Sequence, residues 1–364
     1  MIIMPSLKCA IVSLGSVSSQ WTAKALRNYF DEVDELDIRK IEVNLGSKEG
    51  EILVEGTPIK KYDCIYVKGS FRYATLSQSL VTLLPPSVYT PISAHAFTIG
   101  HDKLLTQLEL QRRGIPMPKT YQAASPSAAK KILAKVNYPI IMKFPHGTQG
   151  KGVLVADSYP SASSMLDALS SLRQPFLIQE YVDTNGVDIR AIVVGDKVVA
   201  AMKRKAVSGE MRANIHQGGL GEAVELDART KKVAVATARA IGAEICAVDI
   251  LESVKGPVVI EANLSPGLQG ITKATKVDVA DKIAKYLFKR TQEFKSGNKK
   301  KDAGKILTDL GIKNGMGSHD IIEKVTLRDE KIVLPPFVTR FGQFEEGEEI
   351  IINVKPGSVT IKRV

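Results

Sequence analysis

Two carboxylates and one amide lie in neighbouring apolar segments of the sequence, at a spacing that suits a bound cation. They are Asp249 in CAVDIL and Glu261 and Asn263 in VVIEAN. If the segments form a β-hairpin whose turn centres on Lys255, Asp249 faces Glu261, with Cβ atoms about 4.5–5.5 Å apart. Asn263 shares the strand face of Glu261, and Mg²⁺ prefers oxygen ligands of this kind together with substrate phosphates. We therefore predict a metal site at these three residues, because an exposed turn with incidental acids fits the apolar surroundings less well.

A glycine-bearing loop after an apolar strand provides a second candidate site. Lys143 ends the strand PIIMK, and the loop HGTQGKG that follows contains Gly147, Gly150 and Gly152. Glycines let backbone N–H groups approach phosphate oxygens closely. The loop lacks the GK[ST] ending of a Walker A motif and does not open a helix as a Rossmann fingerprint does. It is a weak signal alone, but together with the metal hairpin it predicts a phosphate-binding site.

The segment FLIQEYV ends an apolar strand at the boundary between two predicted units. Hinges of this kind offer backbone groups to an adenine ring, with an acid nearby for the amino group of adenine or for the ribose. The residues that could do so are Gln179, Glu180, Tyr181 and Val182.

Charged residues along the chain could bind the rest of a nucleotide. Asp188 and Arg190 are two residues apart and share a strand face, so Asp188 could bind ribose hydroxyls while Arg190 faces phosphates. Each arginine alone could be a surface charge, but clustering with two lysines favours a site. The further candidate donors to phosphate or acyl phosphate are Arg204, Arg212 and Asn214, and the two lysines are Lys103 and Lys143.

Alternating strands and helices predict the elements that must position these residues, with a small parallel α/β domain first. In the β-rich part, Gly195-Asp196 predicts a two-residue hairpin turn, and residues 277–290 read as a helix. The predicted organisation is an N-terminal α/β domain at 1–100, a unit with the glycine-bearing loop at 101–178, a β-rich unit with the metal site at 179–294, a basic linker at 295–318 and a small β module at 319–364. The linker reads as a solvated hinge in preference to a nucleic-acid arm.

Composition narrows the class of protein. The 364 residues are 44% hydrophobic and 24% charged, which is ordinary for a globular protein of two or three domains. The three cysteines are far apart without CxxC spacing, so disulfides and a structural zinc site are not expected. This cysteine usage predicts a cytoplasmic location. No apolar run approaches the roughly 18 residues that span a bilayer. The net charge of +11 favours anionic partners or reflects a well-solvated surface.

The ordered run of motifs resembles the RimK-type glutamate ligases of the ATP-grasp superfamily over roughly residues 8–290. The motifs are Lys143 with HGTQGKGV, QEYV, GVDIRAIVVGDKVVAAMKRKA, MRANIHQGG, AVDIL and VIEANLSPG, with HDKLLTQLELQRRGIPMPKT upstream. The resemblance implies an α/β (α+β) fold with ATP held between two ATP-grasp units. Two positions, Lys68 and Gln217, differ from the arginines usual in relatives. The resemblance implies that both positions take part in acceptor binding, so L-glutamate is expected as a preference.

The resemblance also implies roles for individual residues. Mg²⁺ or Mn²⁺, expected as two ions, would be held by the three residues of the metal hairpin. The implied nucleotide ligands are Lys103 and Lys143 for phosphates, Glu180, Tyr181 and Val182 for adenine, Asp188 for ribose, and Arg212 and Asn214 on the phosphate and substrate side. Arg190, Arg204 and Arg212 are the predicted catalytic residues.

The predicted function is an ATP-dependent carboxylate–amine ligase that forms an acyl phosphate and joins it to the amine of an amino acid. By the resemblance that amino acid is L-glutamate, and the acceptor is an acidic group on a protein C-terminus, a carrier protein or a cofactor. The alternatives are a D-alanine-type dipeptide ligase, which the RANIHQGG stretch disfavours, and a non-catalytic ATP-binding regulator that reads DNA. Intact metal-binding residues disfavour the regulator.

The C-terminal segment resembles a different kind of module. KIVLPPFVTRFGQFEEGEEIIINVKPGSVTIKR is similar to AbrB-type swapped-hairpin domains, which pair into dimers and often bind DNA. Homo-oligomer formation, docking of a partner and contact with DNA are therefore all open for residues 319–364.

Overall fold

A computed structural model of the protein describes residues 6–46, 50–145, 152–171, 175–205, 220–309, 326–328, 331–333, 350–355 and 358–363. The chain divides into two compact units, Met1–Asp302 and Ala303–Val364. All predicted site residues belong to the first unit.

The first part of this unit is the predicted parallel α/β domain. Its parallel sheet has the strand order β2-β1-β6, and the middle strand is buried along most of its length, as expected for parallel strands. A second, antiparallel sheet has the order β3-β4-β5. The elements are β1 (Lys8–Ser13), α1 (Val17–Leu26), β2 (Glu32–Asp37), β3 (Ile41–Asn44), β4 (Glu51–Val54), β5 (Thr57–Pro58), β6 (Cys64–Lys68) and α2 (Ala74–Leu83), with short 3₁₀ turns at Ile38–Lys40 and Phe71–Tyr73.

A four-stranded antiparallel sheet with the order β7-β10-β8-β9 forms the next part. Asp102 begins helix α4, because its carboxylate accepts hydrogen bonds from the N–H groups of Leu104 and Leu105. Helices α5 and α6 pack on the sheet around a small apolar core that includes Leu133, Met142 and Leu166. The elements are α3 (Ala96–His101), α4 (Lys103–Arg112), β7 (Thr120–Tyr121), α5 (Pro126–Leu133), β8 (Ile140–Lys143), β9 (Val153–Ala156), α6 (Tyr159–Ser171) and β10 (Leu177–Glu180).

A five-stranded antiparallel sheet with the order β13-β12-β11-β14-β15 completes the first unit. The predicted turn at Gly195-Asp196 is confirmed, because Val194 pairs with Lys197. Helix α7 begins after its cap Asp227 and ends at Gly242, which has φ +78°. The elements are β11 (Val187–Val194), β12 (Lys197–Lys205), β13 (Leu220–Ala223), α7 (Ala228–Ile241), β14 (Ile245–Ser253), β15 (Gly256–Asn263), α8 (Gln269–Thr275) and α9 (Val279–Asp309).

Helix α9 differs from the prediction, which placed a basic linker at 295–318. The structure is helical through residues 295–309. Lysine, alanine and leucine are good helix formers, and the preceding turns of α9 already form the helix nucleus. The glycines at 297 and 304 each destabilise the helix by about 1 kcal/mol relative to alanine, which is not enough to end it. The predicted linker is therefore helical as far as Asp309, and the predicted domain boundaries stay predictions.

The second unit contains two β-hairpins among its described residues. Strand β16 (Thr326–Arg328) pairs with β17 (Lys331–Val333), and β18 (Ile350–Lys355) pairs with β19 (Ser358–Arg363). The AbrB-like identity of this module stays a prediction. Across the described ranges, no helix has the length and apolar character needed to cross a bilayer.

Candidate active site

Asp249 and Glu261 face each other across strands β14 and β15, as predicted. The turn that joins the strands is nevertheless one residue shorter than expected, since Ser253 pairs directly with Gly256. A bulge at Ile260 compensates for the difference by shifting the register between Val259 and Glu261. Val259 can therefore point into the core while Glu261 points to the opposite face.

The same face of the sheet carries a line of charged residues across four strands, which we call the charged stripe. Asp188 pairs with Arg204 across β11 and β12, and Arg190 pairs with Asp249 across β11 and β14. Residues two apart on a strand share a face, so the stripe runs without a gap from β12 to β15. Its members are Arg204, Asp188, Arg190, Asp249 and Glu261.

Asp249 is the most strongly held carboxylate of the charged stripe. Arg190 donates to both of its oxygens, from Nε at 2.8 Å and from Nη2 at 2.7 Å. Nη2 of Arg204 lies 2.9 Å from Oδ2 of Asp249. Burial alone would raise the pKa of the Asp249 carboxyl, but the two guanidinium groups outweigh it and lower that pKa below its usual range. Asp249 is therefore ionised and ready to act as a ligand, provided that the arginines release it.

Asp188 binds the other side of the Arg204 guanidinium. The two hydrogen bonds from Arg204 Nε and Nη2 to the Asp188 oxygens are 2.6 and 2.5 Å long, and both side chains are buried. Burial raises the pKa of Asp188 to about 6, although Arg204 opposes the rise. The carboxylate that was predicted to bind ribose is thus engaged by a predicted catalytic arginine.

Glu261 has a different electrostatic environment. Burial and the charge of Asp249 raise the pKa of the Glu261 carboxyl. Three cationic side chains oppose that rise, namely those of Lys103, Arg190 and Lys143. The predicted phosphate-binding lysines therefore lie close enough to the charged stripe to act on it electrostatically.

Lys143 is fixed in a buried position at the end of β8. Its Nζ donates to Oε1 of Gln179 at 2.8 Å, and Nε2 of Gln179 donates to Oγ1 of Thr120 at 2.7 Å. Burial and the charge of Lys103 lower the pKa of Lys143 to about 8, while Glu261 opposes the change. Thr120, which no sequence signal had indicated, completes this chain of hydrogen bonds.

The donor set fits a hard cation. Asn263 follows Glu261 on the same strand face, and its Oδ1 accepts a hydrogen bond from the N–H of Ser265 at 3.0 Å. Two opposed carboxylates with a raised pKa at one of them are the arrangement that a divalent cation relieves. The described residues contain no group of three or more His, Cys, Asp or Glu side chains placed to hold a metal ion by themselves. A cation here would thus depend on the two carboxylates, the amide and the substrate phosphates, as Mg²⁺ commonly does.

Three of the four predicted adenine-binding residues border a cavity of about 750 Å³. The cavity lies between the end of β10, the segment before β7 and the turn between β14 and β15. Neither Lys143 nor Gln179 lines it. The predicted adenine-binding residues that line this cavity are Glu180, Tyr181 and Val182. A smaller cavity of about 360 Å³ beside β12 and β13 contains none of the predicted site residues.

The glycine-bearing loop is described only at its end. Gly147, Gly150, Arg212 and Asn214 lie outside the described residues. Gly152 has φ +75°, and a Cβ at this position would overlap the ring of Phe144. Backbone conformation and packing therefore require a glycine at 152, independently of any phosphate.

Comparison with known proteins decides the family. Residues 100–287 match the family described as the RimK-like ATP-grasp domain. The chain belongs to this family. A probable alpha-L-glutamate ligase of Legionella pneumophila (strain Corby) is 38% identical over 250 residues, covering 67% of this chain and 82% of the relative. The probable alpha-L-glutamate ligase 1 of Pseudoalteromonas atlantica is 38% identical over 259 residues, covering 70% and 86%.

Solved structures support the same fold. The ATP-grasp ligase PsnB, complexed with minimal precursor, Mg and ADP, superposes with a TM-score of 0.62 at 20% identity, covering 79% of this chain and 99% of PsnB. A RimK domain protein from Sphaerobacter thermophilus superposes with a TM-score of 0.60 at 19% identity, covering 77% and 98%. The predicted ATP-grasp fold, RimK-type family and ligase class are confirmed.

Proposed function

We propose that this RimK-like ATP-grasp protein uses ATP to activate a carboxylate and joins it to the amine of L-glutamate. The charged stripe carries the proposal, because it sets three carboxylates and two arginines in register on one face of the sheet, with two lysines nearby. The relatives named as probable alpha-L-glutamate ligases support L-glutamate as the amino acid. They do not favour a dipeptide ligase or a non-catalytic regulator.

Asp249, Glu261 and Asn263 would hold Mg²⁺. When bound, the cation neutralises charge on the ATP phosphates and on the phosphoryl group in transfer. Arg190 and Arg204 would then be free to turn from Asp249 toward phosphate oxygens, since the positive charge of the cation replaces theirs at that carboxylate. We further propose that two such ions bind.

The remaining cations would align the triphosphate. Lys143 is held by Gln179, so its ammonium has one position from which to bind a phosphate oxygen. Lys103, at the start of α4, lies close enough to influence the pKa values of both Lys143 and Glu261. We assign the further phosphate contacts to Gly147, Gly150, Gly152, Arg212 and Asn214.

Glu180, Tyr181 and Val182 would bind adenine at the end of β10, with Gln179 just before them. The bidentate pair with Arg204 supports a positioning role for Asp188, which would hold the guanidinium in place. Binding of a ribose hydroxyl by Asp188 would need that pair to open.

The chemistry proceeds in two steps. An oxygen of the substrate carboxylate attacks the γ-phosphorus of ATP, the bond to the β-phosphate oxygen breaks, and an acyl phosphate and ADP form. The amine nitrogen then attacks the acyl carbon, phosphate leaves, and the amine loses a proton as the amide forms. Arg190, Arg204 and Arg212 would stabilise charge on the transferring and leaving phosphoryl oxygens.

The acceptor is proposed to be acidic, such as a protein C-terminus, a carrier protein or a cofactor carboxylate, in keeping with the net charge of +11. A screen of ADP release tests the function, with amino acids paired against such acceptors and the products weighed by mass spectrometry. A product heavier by whole glutamyl residues is expected. ADP release with other amino acids but never with L-glutamate would contradict the specificity.

A further inference from the structure

Gln179 lies on a central strand of the four-stranded sheet, and its side chain contacts both neighbouring strands. The sheet places β10 between β7 and β8. Gln179 pairs directly with Thr120 of β7 and with Ile141 of β8. Lys143, two residues along β8, is therefore its diagonal neighbour. Opposed and diagonal positions share a face of the sheet, and a side chain as long as glutamine reaches both.

Three hydrogen bonds run through these side chains in one direction. Nζ of Lys143 donates to Oε1 of Gln179 at 2.8 Å, and Nε2 of Gln179 donates to Oγ1 of Thr120 at 2.7 Å. The Thr120 hydroxyl in turn donates to the carbonyl of Pro118 at 3.0 Å. We call this series of four groups, from Lys143 to Pro118, the amide relay.

The direction of the amide relay is fixed from both ends. A carbonyl oxygen only accepts, so the one proton of the Thr120 hydroxyl goes to Pro118, and the hydroxyl oxygen is left to accept from Gln179. An ammonium only donates, so Lys143 requires the carbonyl end of the same amide. The reversed amide would set its NH₂ group against the ammonium. Only one orientation of Gln179 therefore satisfies all four groups.

Burial makes this orientation matter for Lys143. The lysine is 7% exposed and the glutamine 4%, and a buried polar group that loses its partner is costly. The lysine side chain is flexible, with a charge at the end of a four-carbon stem. The amide relay holds that charge in one place, so a ligand would not have to order it on binding.

The other end of the amide relay lies at the cavity of about 750 Å³. Pro118 and Thr120 both line this cavity, together with the candidate adenine-binding residues Glu180, Tyr181 and Val182. The relay therefore connects the wall of the proposed base site with the proposed phosphate-binding lysine.

We propose that Thr120 is a positioning residue for nucleotide binding. It orients the Gln179 amide, and that amide holds the Lys143 ammonium where it meets a phosphate oxygen of ATP. The inference rests on the proposed function and adds to it a residue that acts through Lys143. It also assigns the side chain of Gln179 to the lysine instead of the adenine ring.

Calorimetric titration with ATP and Mg²⁺ tests the proposal on the full-length wild type, Thr120→Val, Thr120→Ser and Gln179→Met. Valine keeps the shape of threonine but removes the hydroxyl that orients the amide. A hydrogen bond to a charged group is worth about a tenfold change in binding, so Thr120→Val and Gln179→Met should each raise the Kd for ATP about tenfold. Thr120→Ser keeps a hydroxyl and should stay within about twofold of the wild type.

The matched control is Thr82→Val. The Thr82 hydroxyl is exposed and donates to the carbonyl of Gln78 within helix α2, so its loss should leave the Kd for ATP unchanged. The melting temperature of each variant is recorded alongside. If Thr120→Val does not fold, Gln179→Met carries the same comparison.

A second background separates positioning from a purely structural role. If Thr120 acts through Lys143, adding Thr120→Val to Lys143→Met should change the Kd for ATP by less than about twofold, because the group that it positions is gone. A hydroxyl that only stabilises the fold would weaken ATP binding equally in both backgrounds or in neither. Either of these results would overturn the proposal.

Failure of the ligase function would show separately, as an absence of ADP release by the wild type with every substrate pair. ATP binding is measured without an amino acid or an acceptor, so the titrations still decide the role of Thr120 in that case. A wild type that binds no ATP would reject the positioning role as well.

Discussion

Arg190 donates two hydrogen bonds to Asp249 from the neighbouring strand, at 2.8 and 2.7 Å. The carboxylate proposed to bind a cation is thus paired with an arginine. The arginine keeps Asp249 ionised despite its burial. A cation bound by Asp249 would compete with Arg190 for the same oxygens, so metal binding and release of the arginine toward phosphate would be one exchange.

Replacing Arg190 by methionine should destabilise the protein. Among the described residues, Asp249 would keep Arg204 as its one cationic partner. The loss of two charge-assisted hydrogen bonds to a buried carboxylate costs about 1–3 kcal/mol. Chemical denaturation measures the free energy of unfolding. The exposed pair of Arg27 with Glu35 provides the control, since Arg27→Met should change that free energy by less than about 1 kcal/mol. Equal effects of the two changes would argue against a special role for the Arg190–Asp249 pair.

Affinity for ATP should depend on the protonation of Lys143. Its pKa of about 8 means that the ammonium is charged below that pH and neutral above it, so the Kd for ATP should rise as pH increases through 8. Lys143→Arg stays charged and should flatten this dependence, as titration calorimetry at pH 7 and pH 9 can check. Lys130→Arg on the surface should keep the wild-type profile. An identical pH profile for Lys143→Arg would remove Lys143 from the phosphate site.

The lowered pKa of Lys143 also affects the stability of the fold. Affinity for ATP should fall as pH rises, whereas the contribution of Lys143 to the free energy of unfolding should increase. An unfolded lysine has a pKa near 10.4, so between about pH 8 and 10.4 the unfolded chain binds more protons than the folded one. The contribution of Lys143 to the free energy of unfolding therefore rises with pH across that window. Below pH 8 the penalty for burying its charge is present in full.

Ending the chain at Asp309 tests the C-terminal module. If the two hairpins pair as in AbrB-type domains, the full chain should be a dimer and the shortened chain a monomer by light scattering. ATP binding should be unchanged, because every proposed nucleotide ligand precedes residue 295. A monomeric full-length protein would count against dimer formation through this module.

Contact with DNA makes a separate prediction for the same module. Binding by its cationic residues should weaken steeply with salt, because each phosphate contact releases counterions. Electrophoretic mobility shifts at two salt concentrations measure this, with the chain ending at Asp309 as the control. An absence of retardation at low salt would reject a DNA-binding role.

Much of the fold followed from local sequence patterns. The turn at Gly195-Asp196 and the opposed Asp249 and Glu261 were predictable, because turn residues and alternation act over short range. Helix α9 was predicted too short, because lysine-rich polar sequence reads as a linker although its residues favour helix.

The ion pairs of the charged stripe could not be predicted in this way. A regular hairpin at Gly195-Asp196 would place Asp188 opposite Lys203, but a bulge at Val199 moves Arg204 into that position. A second bulge, at Ile260, shifts the register of β15 in the same way and places Glu261 opposite Asp249. Bulges depend on which side chains the core accepts, and that is a property of the packed sheet.

Turnover by Glu261→Gln tests the central claim most directly. Glutamine keeps the shape of the side chain but removes the charge that the proposed cation needs. With Mg²⁺, ATP, L-glutamate and an acceptor, the wild type should release ADP, and Glu261→Gln should do so about 10²-fold more slowly or worse. Glu225→Gln, at a side chain that is 93% exposed, should match the wild type. Equal rates of ADP release for Glu261→Gln and the wild type would contradict the account.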